Sequence, residues 1–346
     1  SASLLDNTLA DSDIGVFSWM RGPGGTADLL LENNLGTGLG IGIQIMADTL
    51  ASADITLRGN QIIQPANVGL VLQAQNVDND LNLWLEGNTF SGSVGPGATL
   101  AAIGVGGDMN FTALNNAFSD NGSFGFQGLF ADIDGNASLQ WVGNQTDGNT
   151  GGGALMQLAA VGGNVDLDIL DSSFDGNDGD GLILLATTVG GHIDARIDPT
   201  TANSNNSSGM IILFAATSNI TVAAEQVTAS YNQGNGLLLS AFSQTGSVQA
   251  LLRDVVANSN LGVGVLASLG AFEEVILGSF DGSNAVGNRI TANGNGGPGI
   301  LLSAQSLTSA LFQISESLVA NDNLGPGVVI NLIGQDTVYN MIGRLE

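Results

Sequence analysis

The chain contains no cysteine and no lysine. The first absence rules out disulfide staples. The second leaves six arginines as the whole basic complement against 32 acidic residues, a formal net charge of −26. A field of that sign repels nucleic acid, anionic membranes and polyanionic sugars, so none of these is expected as a partner. Aromatic residues make up 5% and charged residues 11% of the chain, which is too little charge for an ordinary helical protein. No apolar run reaches the ~18–20 residues that cross a bilayer, so membrane insertion is not expected. The opening segment SASLLDNT has no charged stretch leading into an apolar one. Any export signal is therefore expected to have been removed, and the chain to work outside the cell or at its surface.

What the 346 residues do contain is glycine, 51 of them, with 43% apolar residues. That is too apolar for a disordered chain. The glycines are not scattered. Residues 174–183 read FDGNDGDGLI, and the pattern recurs as ANSNNSSGMI from Ala202, ANSNLGVGVL from Ala257 and ANDNLGPGVV from Ala320, with asparagine fourth and glycine eighth. Traced both ways, the glycine falls at Gly15, Gly42, Gly69, Gly97, Gly125, Gly153, Gly181, Gly209, Gly236, Gly264, Gly299 and Gly327. The steps are 27, 27, 28, 28, 28, 28, 28, 27, 28, 35 and 28 residues. A fixed period of this length signals a solenoid.

Each unit opens with strict alternation, such as LNLWL at Leu81 or VDLDI at Val165, and resumes after the glycine with a short apolar run such as LILLA at Leu182. Both are strand patterns, with no 3.6-residue rhythm. The prediction is one all-β domain over residues 1–346: a parallel β-helix of about twelve 27–28-residue coils without a capping helix. A seven-residue loop insertion near 278–289 accounts for the long step. Coils one strand spacing apart, ~4.8 Å, stack equivalent residues into ladders. Two asparagine ladders are expected, Asn33–Asn60–Asn88–Asn116–Asn144 and Asn121–Asn149–Asn177–Asn205–Asn232–Asn260–Asn295–Asn323. Stacked asparagines bond along the axis and suit tight corners. The same stacking sets Arg21 against Asp48, Arg58 against Glu86, Arg196 against Asp168, Arg253 against Glu225, Arg289 against Asp254 and Arg344 against Glu316. All six arginines are thereby assigned to holding register.

The asparagine ladders, glycine corners and alternating strands resemble the right-handed parallel β-helix proteins of the pectin-lyase-like class, over nearly the whole chain. The right hand also agrees with the general preference of parallel crossovers. The resemblance implies two enzyme patterns. Members that cleave polyuronates use arginine or lysine as base and charge clamp, usually with calcium; the hydrolase branch uses an aspartate cluster with a glycine-flanked histidine. This sequence departs from the first pattern, having no lysine and arginines already paired. The lone histidine, His192 in VGGHID, falls in a polar corner column with Asp80, Asp108, Asn136, Asn164 and Asn219. No catalytic residue is assigned. The pattern an enzyme would use is the pair Asp166 and Asp194, stacked on an outer strand face, where paired carboxylates divide acid and base roles.

Calcium is weighed in the same way. Asp147 and Asp175 stack one coil apart, with Asp178 and Asp180 in the same corner, a carboxylate set that suits a hard cation. The motif recurs without these acids, so no cofactor is expected.

Two features point to self-association. The strand after the glycine is apolar on both faces. One face carries Leu155, Ile183, Ile211, Leu238, Leu266, Leu301 and Val329, a stripe about 30 Å long at one strand spacing per coil. Such a stripe calls for a cover, either a partner or the following segment, such as TTVGG from Thr187, folded back. The ends show no cap: Ser1 and Leu4 lie in the first alternating strand, and Val338, Tyr339, Met341 and Ile342 begin a further coil. Bare solenoid ends expose strand edges. The expectation is a non-enzymatic extracellular subunit that stacks head to tail into a homopolymer, with lateral contacts through the stripe, or an adhesin stalk. The alternative is a polysaccharide-active lyase or glycoside hydrolase.

Overall fold

The computed structural model describes residues 1–277, 289–314, 317–341 and 344–345. These residues form strands and corners, with no helix among them. Every strand pairing is parallel and joins one coil to the next; Val165 lies beside Ile193, and Leu182 beside Met210. An 18-stranded first sheet holds strands such as Ala137–Val142, Val165–Ser173 and Ile193–Thr201, and a 12-stranded second sheet holds Ala154–Val161, Leu182–Val189 and Met210–Ala216. A four-stranded sheet lines a corner of the first coils. The chain is a parallel β-solenoid, as its period predicts, and the insertion near 278–289 falls almost wholly on residues outside the described set.

Alternation decides which side chains go in. Val165, Leu167 and Ile169 of the first sheet and Leu182, Leu184 and Ala186 of the second are buried, while Asp166 and Asp194 point out. One continuous cluster of buried residues runs from Val16 to Leu318. The scarce aromatics concentrate there: Phe111, Phe118, Phe126 and Trp141 interlock, with Phe126 and Trp141 centroids 4.8 Å apart.

The corner glycine is required by close approach. A Cβ at Gly181 would lie 2.6 Å from the Gly209 carbonyl oxygen and 2.7 Å from that of Phe174. Beside it runs the second asparagine ladder. Asn149 Nδ2 donates to Asn177 Oδ1 (3.0 Å), Asn177 to Asn205 (3.1 Å) and Asn205 to Asn232 (3.1 Å), and the series continues to Asn323. Each Oδ1 also accepts the neighbouring backbone N–H, as Asn177 accepts from Asn149 N at 2.9 Å. The first ladder takes Asn34 where Asn33 is expected and begins one coil earlier, running from Asn7 to Asn34, Asn60, Asn88, Asn116 and Asn144. Asn33 instead takes φ 55 and stands in a left-handed column with Gly59 and Gly87. The physical reason is a shorter coil: Asn34 and Asn60 are 26 residues apart, one fewer than the glycine step there.

A second left-handed column closes the second sheet at Asn76, Gly104, Asp132, Ala160 and Thr188, each with positive φ. The coil after Thr188 lacks this residue, and the ladder shifts so that Val189 faces Ala216. Thr187 and Val189 belong to strand Leu182–Val189. The segment from Thr187 therefore does not fold back as a cover, because it continues the strand toward the next corner. Leu155, Ile183, Ile211, Leu238, Leu266, Leu301 and Val329 are half-buried, and the residues before them, from Ala154 to Ile300, are buried.

Leu4 lies in the strand Ala2–Leu5, which pairs with Thr26–Glu32, and Ser1 immediately precedes that strand. Val338, Tyr339 and Met341 lie in Asp336–Met341, paired through Leu311, Phe312 and Ile314. Ile342 falls outside the described residues.

Five of the arginine placements concern described residues on both sides. Arg21 pairs with Asp48 at 3.4 Å, Arg58 with Glu86 at 3.0 Å and also Glu32 at 3.8 Å. Arg253 contacts Glu225, and Arg289 contacts Asp254. Arg196 is different. Its backbone faces Asp168 as expected, but its guanidinium bonds Asp198 Oδ2 at 2.9 Å, two residues along its own strand. Asp198 is only 7% exposed, and a charge buried that deeply gains more from a cation than the less buried Asp168 does. Glu316 is outside the described residues; the backbone of Arg344 pairs with Ser317.

Candidate active site

The outer face of the first sheet carries two polar rows. One runs Asn82, Asn110, Ser138, Asp166, Asp194 and Thr221; the other runs Trp84, Thr112, Gln140, Asp168, Arg196 and Ala223. Strand alternation points both rows outward, and parallel in-register stacking brings their members within one strand spacing, about 4.8 Å. Through Asn110 the outer row is passive, each amide bonding its neighbour: Asn82 Nδ2 donates to Asp54 Oδ1 (2.6 Å) and Asn110 Nδ2 to Asn82 Oδ1 (2.9 Å). At Asp166 and Asp194 the pattern changes, because two carboxylates have no hydrogen to share. Asp168 sits diagonally beside them.

The cost of this crowding appears in the protonation equilibria. Burial, then the Asp166 charge, holds the Asp168 carboxyl above the usual carboxylate range, against the pull of Arg196. Burial and Asp166 likewise raise Asp194, against His192. Such an arrangement favours one retained proton within a set of carboxyls. Thr221 and Ala223 on the following coil are small, so the cluster is open on that side. Along the other side a shallow groove of ≈ 310 Å³ is lined by Asn136, Ser138, Asn164, Asp166, His192 and Asp194. Trp84, 38% exposed, stands three coils away in the same row as Asp168.

His192 occupies the corner its sequence position predicts, and its backbone N–H donates to Asn164 Oδ1 at 3.1 Å, continuing the links from Asp80 through Asp108 and Asn136. The ring does not pass the ladder on, since the next side-chain link, to Ser247 N, starts from Asn219. An imidazole has no oxygen to play the asparagine's part, and it acts on Asp194 instead. From the sequence, Asp166 and Asp194 stand out only as the pair an enzyme would use, while Asp168 and Arg196 are assigned to register and His192 to the corner. The signal that could have united them is the VDLD–HIDAR pairing, four ionisable groups on two adjacent strands in one shared register with His192 at the corner just before the second.

The four corner aspartates are held otherwise. Asp147 accepts from Ser173 Oγ (2.7 Å) and Asp175 N (2.8 Å), and Asp175 accepts from Thr201 Oγ1 (3.0 Å) and Asn203 N (2.6 Å). Asp178 accepts from Asn206 Nδ2 and Asp180 from Ser208 N, each at 2.8 Å. Burial raises the Asp175 carboxyl, against these hydrogen bonds. Among the described residues, no group of three or more histidines, cysteines or carboxylates is arranged to hold a metal ion. A larger groove of ≈ 540 Å³ follows the second sheet's far corner past Asp132, Asp134, Thr187 and Thr217, with neither histidine nor arginine in its lining.

No family model matches the chain, and no curated protein matches it. A solved structure does. The chain is similar to the A-module of the mannuronan C-5 epimerase AlgE4 of Azotobacter vinelandii, at 14% identity over 91% of each chain with a TM-score of 0.34. This likeness concerns the fold alone. The expectation of a non-enzymatic chain does not stand: the similar structure carries the name of an epimerase module. Two residues behave differently from that expectation at the first sheet. Arg196 is paired with Asp198 rather than Asp168, and the corner links resume from Asn219 rather than from His192. No helix among the described residues is long and apolar enough to cross a membrane.

Proposed function

We propose that the protein is a polysaccharide-active enzyme of the pectin-lyase-like class that acts outside the cell, with its centre at Asp166, Asp168, Asp194, His192 and Arg196. The observation that carries the reading is the three-carboxyl cluster with two raised members on one open face. Asp194 retains a proton beyond the ordinary carboxylate range and supplies the general acid; Asp166 beside it supplies the second carboxylate. Arg196 and His192 offset the accumulated negative charge. Within the class, hydrolysis of a neutral glycan fits better than elimination from a polyuronate. A uronate would bring further negative charge to a cluster already short of cations, on a chain of net charge −26. Backbones one strand apart, about 4.8 Å, suit the closely spaced carboxyl pair of a retaining hydrolase, ~5–5.5 Å, better than the ~6.5–9.5 Å of an inverting one. Substrate would lie along the coil axis, from Trp84 past Gln140 to Asp168.

The test is release of reducing ends from laminarin, xylan and galactomannan, with pectate and alginate as charged controls. Asp166→Asn and Asp194→Asn should each lower the rate by about 10²–10⁴-fold, the usual contribution of a positioned acid or base. Full activity in both variants, or no product from any of the three neutral polymers, would overturn the reading.

A further inference from the structure

A second groove, on the other sheet, has a different chemistry. It measures ≈ 370 Å³ and is built from the outward residues of three successive coils. Ser240, Ser268 and Ser303 are in register in one row; Phe242, Gly270 and Gln305 are in register in the next. Phe272 and Leu307 close the corner side. None of the residues lining this groove is charged, although the chain as a whole carries −26.

Gly270 explains the shape. A Cβ there would lie 2.9 Å from Phe242 Cδ2 and 3.6 Å from Cε2. The Cδ2–Cε2 edge of the Phe242 ring therefore lies against the glycine of the next coil, and the side chain stays 53% exposed. Phe272 is equally exposed. Against these apolar rings stand the hydroxyls of Ser240, Ser268 and Ser303, which have no hydrogen-bond partner among the described residues, unlike Ser243 and Ser306 deeper in the groove, which donate to Ser218 O (2.5 Å) and Glu273 O (2.6 Å). The Gln305 amide is likewise unengaged and exposed.

We infer that this groove binds a neutral oligosaccharide along the coil axis, with sugar rings on Phe242 and Phe272 and sugar hydroxyls on the serine row and Gln305. A pyranose has one face of C–H bonds and a rim of hydroxyls, the complement of a flat ring bordered by free donors and acceptors. An uncharged lining gives no preference for an ionised ligand, and the surrounding negative field disfavours anionic ones. Few placed polar groups on an apolar floor is the usual composition of a small-ligand site. Two of the coils' own features separate it from the first-sheet cluster: it lies on the opposite sheet, and its residues share no strand with Asp166, Asp168 or Asp194. The inference stands without the catalytic reading and would make the groove an anchoring site for insoluble or polymeric glycan.

The experiment is native affinity electrophoresis in gels cast with laminarin, xylan or galactomannan, with alginate as the charged control. The full chain should be retarded by at least one neutral polymer and not by alginate. Phe242→Ala and Phe272→Ala should abolish the retardation, as should Ser268→Glu, which adds charge without removing a ring. Asp194→Asn should be retarded like the parent, which separates this site from the catalytic one. Circular dichroism melts of each variant check that the fold persists. Absence of retardation in all three neutral gels overturns the inference. So does retardation that survives in the two phenylalanine variants, or sedimentation showing concentration-dependent dimers of the parent that Phe242→Ala dissociates, since the occupant would then be a second copy.

Discussion

Asn177 shows how much of this protein's stability rests on single side chains used repeatedly. Its Oδ1 accepts both the backbone N–H and the Nδ2 of Asn149, and its own groups reach Asn205. Asn177 is 1% exposed, so water cannot replace what is lost. Asn177→Ala strands two buried donors of Asn149, and unsatisfied groups of this kind cost about 1–3 kcal/mol each. A loss of about 2–4 kcal/mol in a chemical-denaturation midpoint series is expected. A loss below about 1 kcal/mol would show that the ladder is incidental to stability. Asp194 behaves in the opposite sense. Its folded pKa lies above its unfolded value, so its stabilising contribution is complete below the unfolded carboxylate range, about 3.9, and disappears as pH rises through the folded value. Asp194→Asn removes the ionised form, so it should raise the melting temperature near neutral pH and give no gain near pH ~3. The group is largely exposed, which keeps the effect under about 1 kcal/mol. A destabilised variant at neutral pH would contradict the crowding described for this cluster.

At the scale of the element, regular stacking is what made the sequence legible. The second asparagine ladder could be traced from Asn121 to Asn323 because each member is the same residue at one period, and the corner glycines because Gly181 and its equivalents admit no Cβ. Only the first named member of the first ladder, Asn33, was misplaced by one residue, because the corner between Asn34 and Gly42 is one residue shorter than its equivalent between Asn60 and Gly69, and period counting from the glycine does not detect a deletion on its near side. Arg196 was legible in backbone register and illegible in contact: Asp168 across the ladder and Asp198 along the strand are both within reach, and burial of Asp198, which depends on the neighbouring coil, decides between them. The Phe242 contact was hidden for a similar reason, since the ring's position depends on Gly270 in the next coil. Irregularity within strands also has a cost. Thr188 closes the second-sheet strand at φ 57, a conformation that crowds a β-branched side chain. Gly104 takes the same place in its own coil at φ 74 without that penalty. Thr188→Gly should therefore stabilise the protein by about 1 kcal/mol, the low end of the cost of such backbone strain. A fall in thermal midpoint would mean that the hydroxyl or methyl of Thr188 contributes more than its backbone costs.

The described residues form a stack of coils with nearly all their charge on the outside, Asp198 excepted, and one apolar interior. Like charges recur in register, as Asp166 over Asp194 and Asp147 over Asp175 do, and a net charge of −26 repels itself along the axis. Added sodium chloride should accordingly raise the melting temperature up to the point where the Debye length, about 8 Å at physiological ionic strength, falls toward the coil spacing. A melting temperature indifferent to salt would show that the arginine pairs already neutralise the ladders. The two faces differ in chemistry: carboxylates and His192 on the first sheet, an uncharged aromatic groove on the second. On the proposed function, the second would hold a polymer that the first cuts. The most direct measurement is the pH–rate profile of glycan hydrolysis for the parent and for Asp194→Asn. With Asp194 as the general acid, the parent's rate should fall on the alkaline side of a pKa lying above the ordinary carboxylate range, and that limb should vanish in the variant along with most of the rate. An unchanged alkaline limb in Asp194→Asn would contradict the assignment of the first-sheet cluster as the catalytic centre.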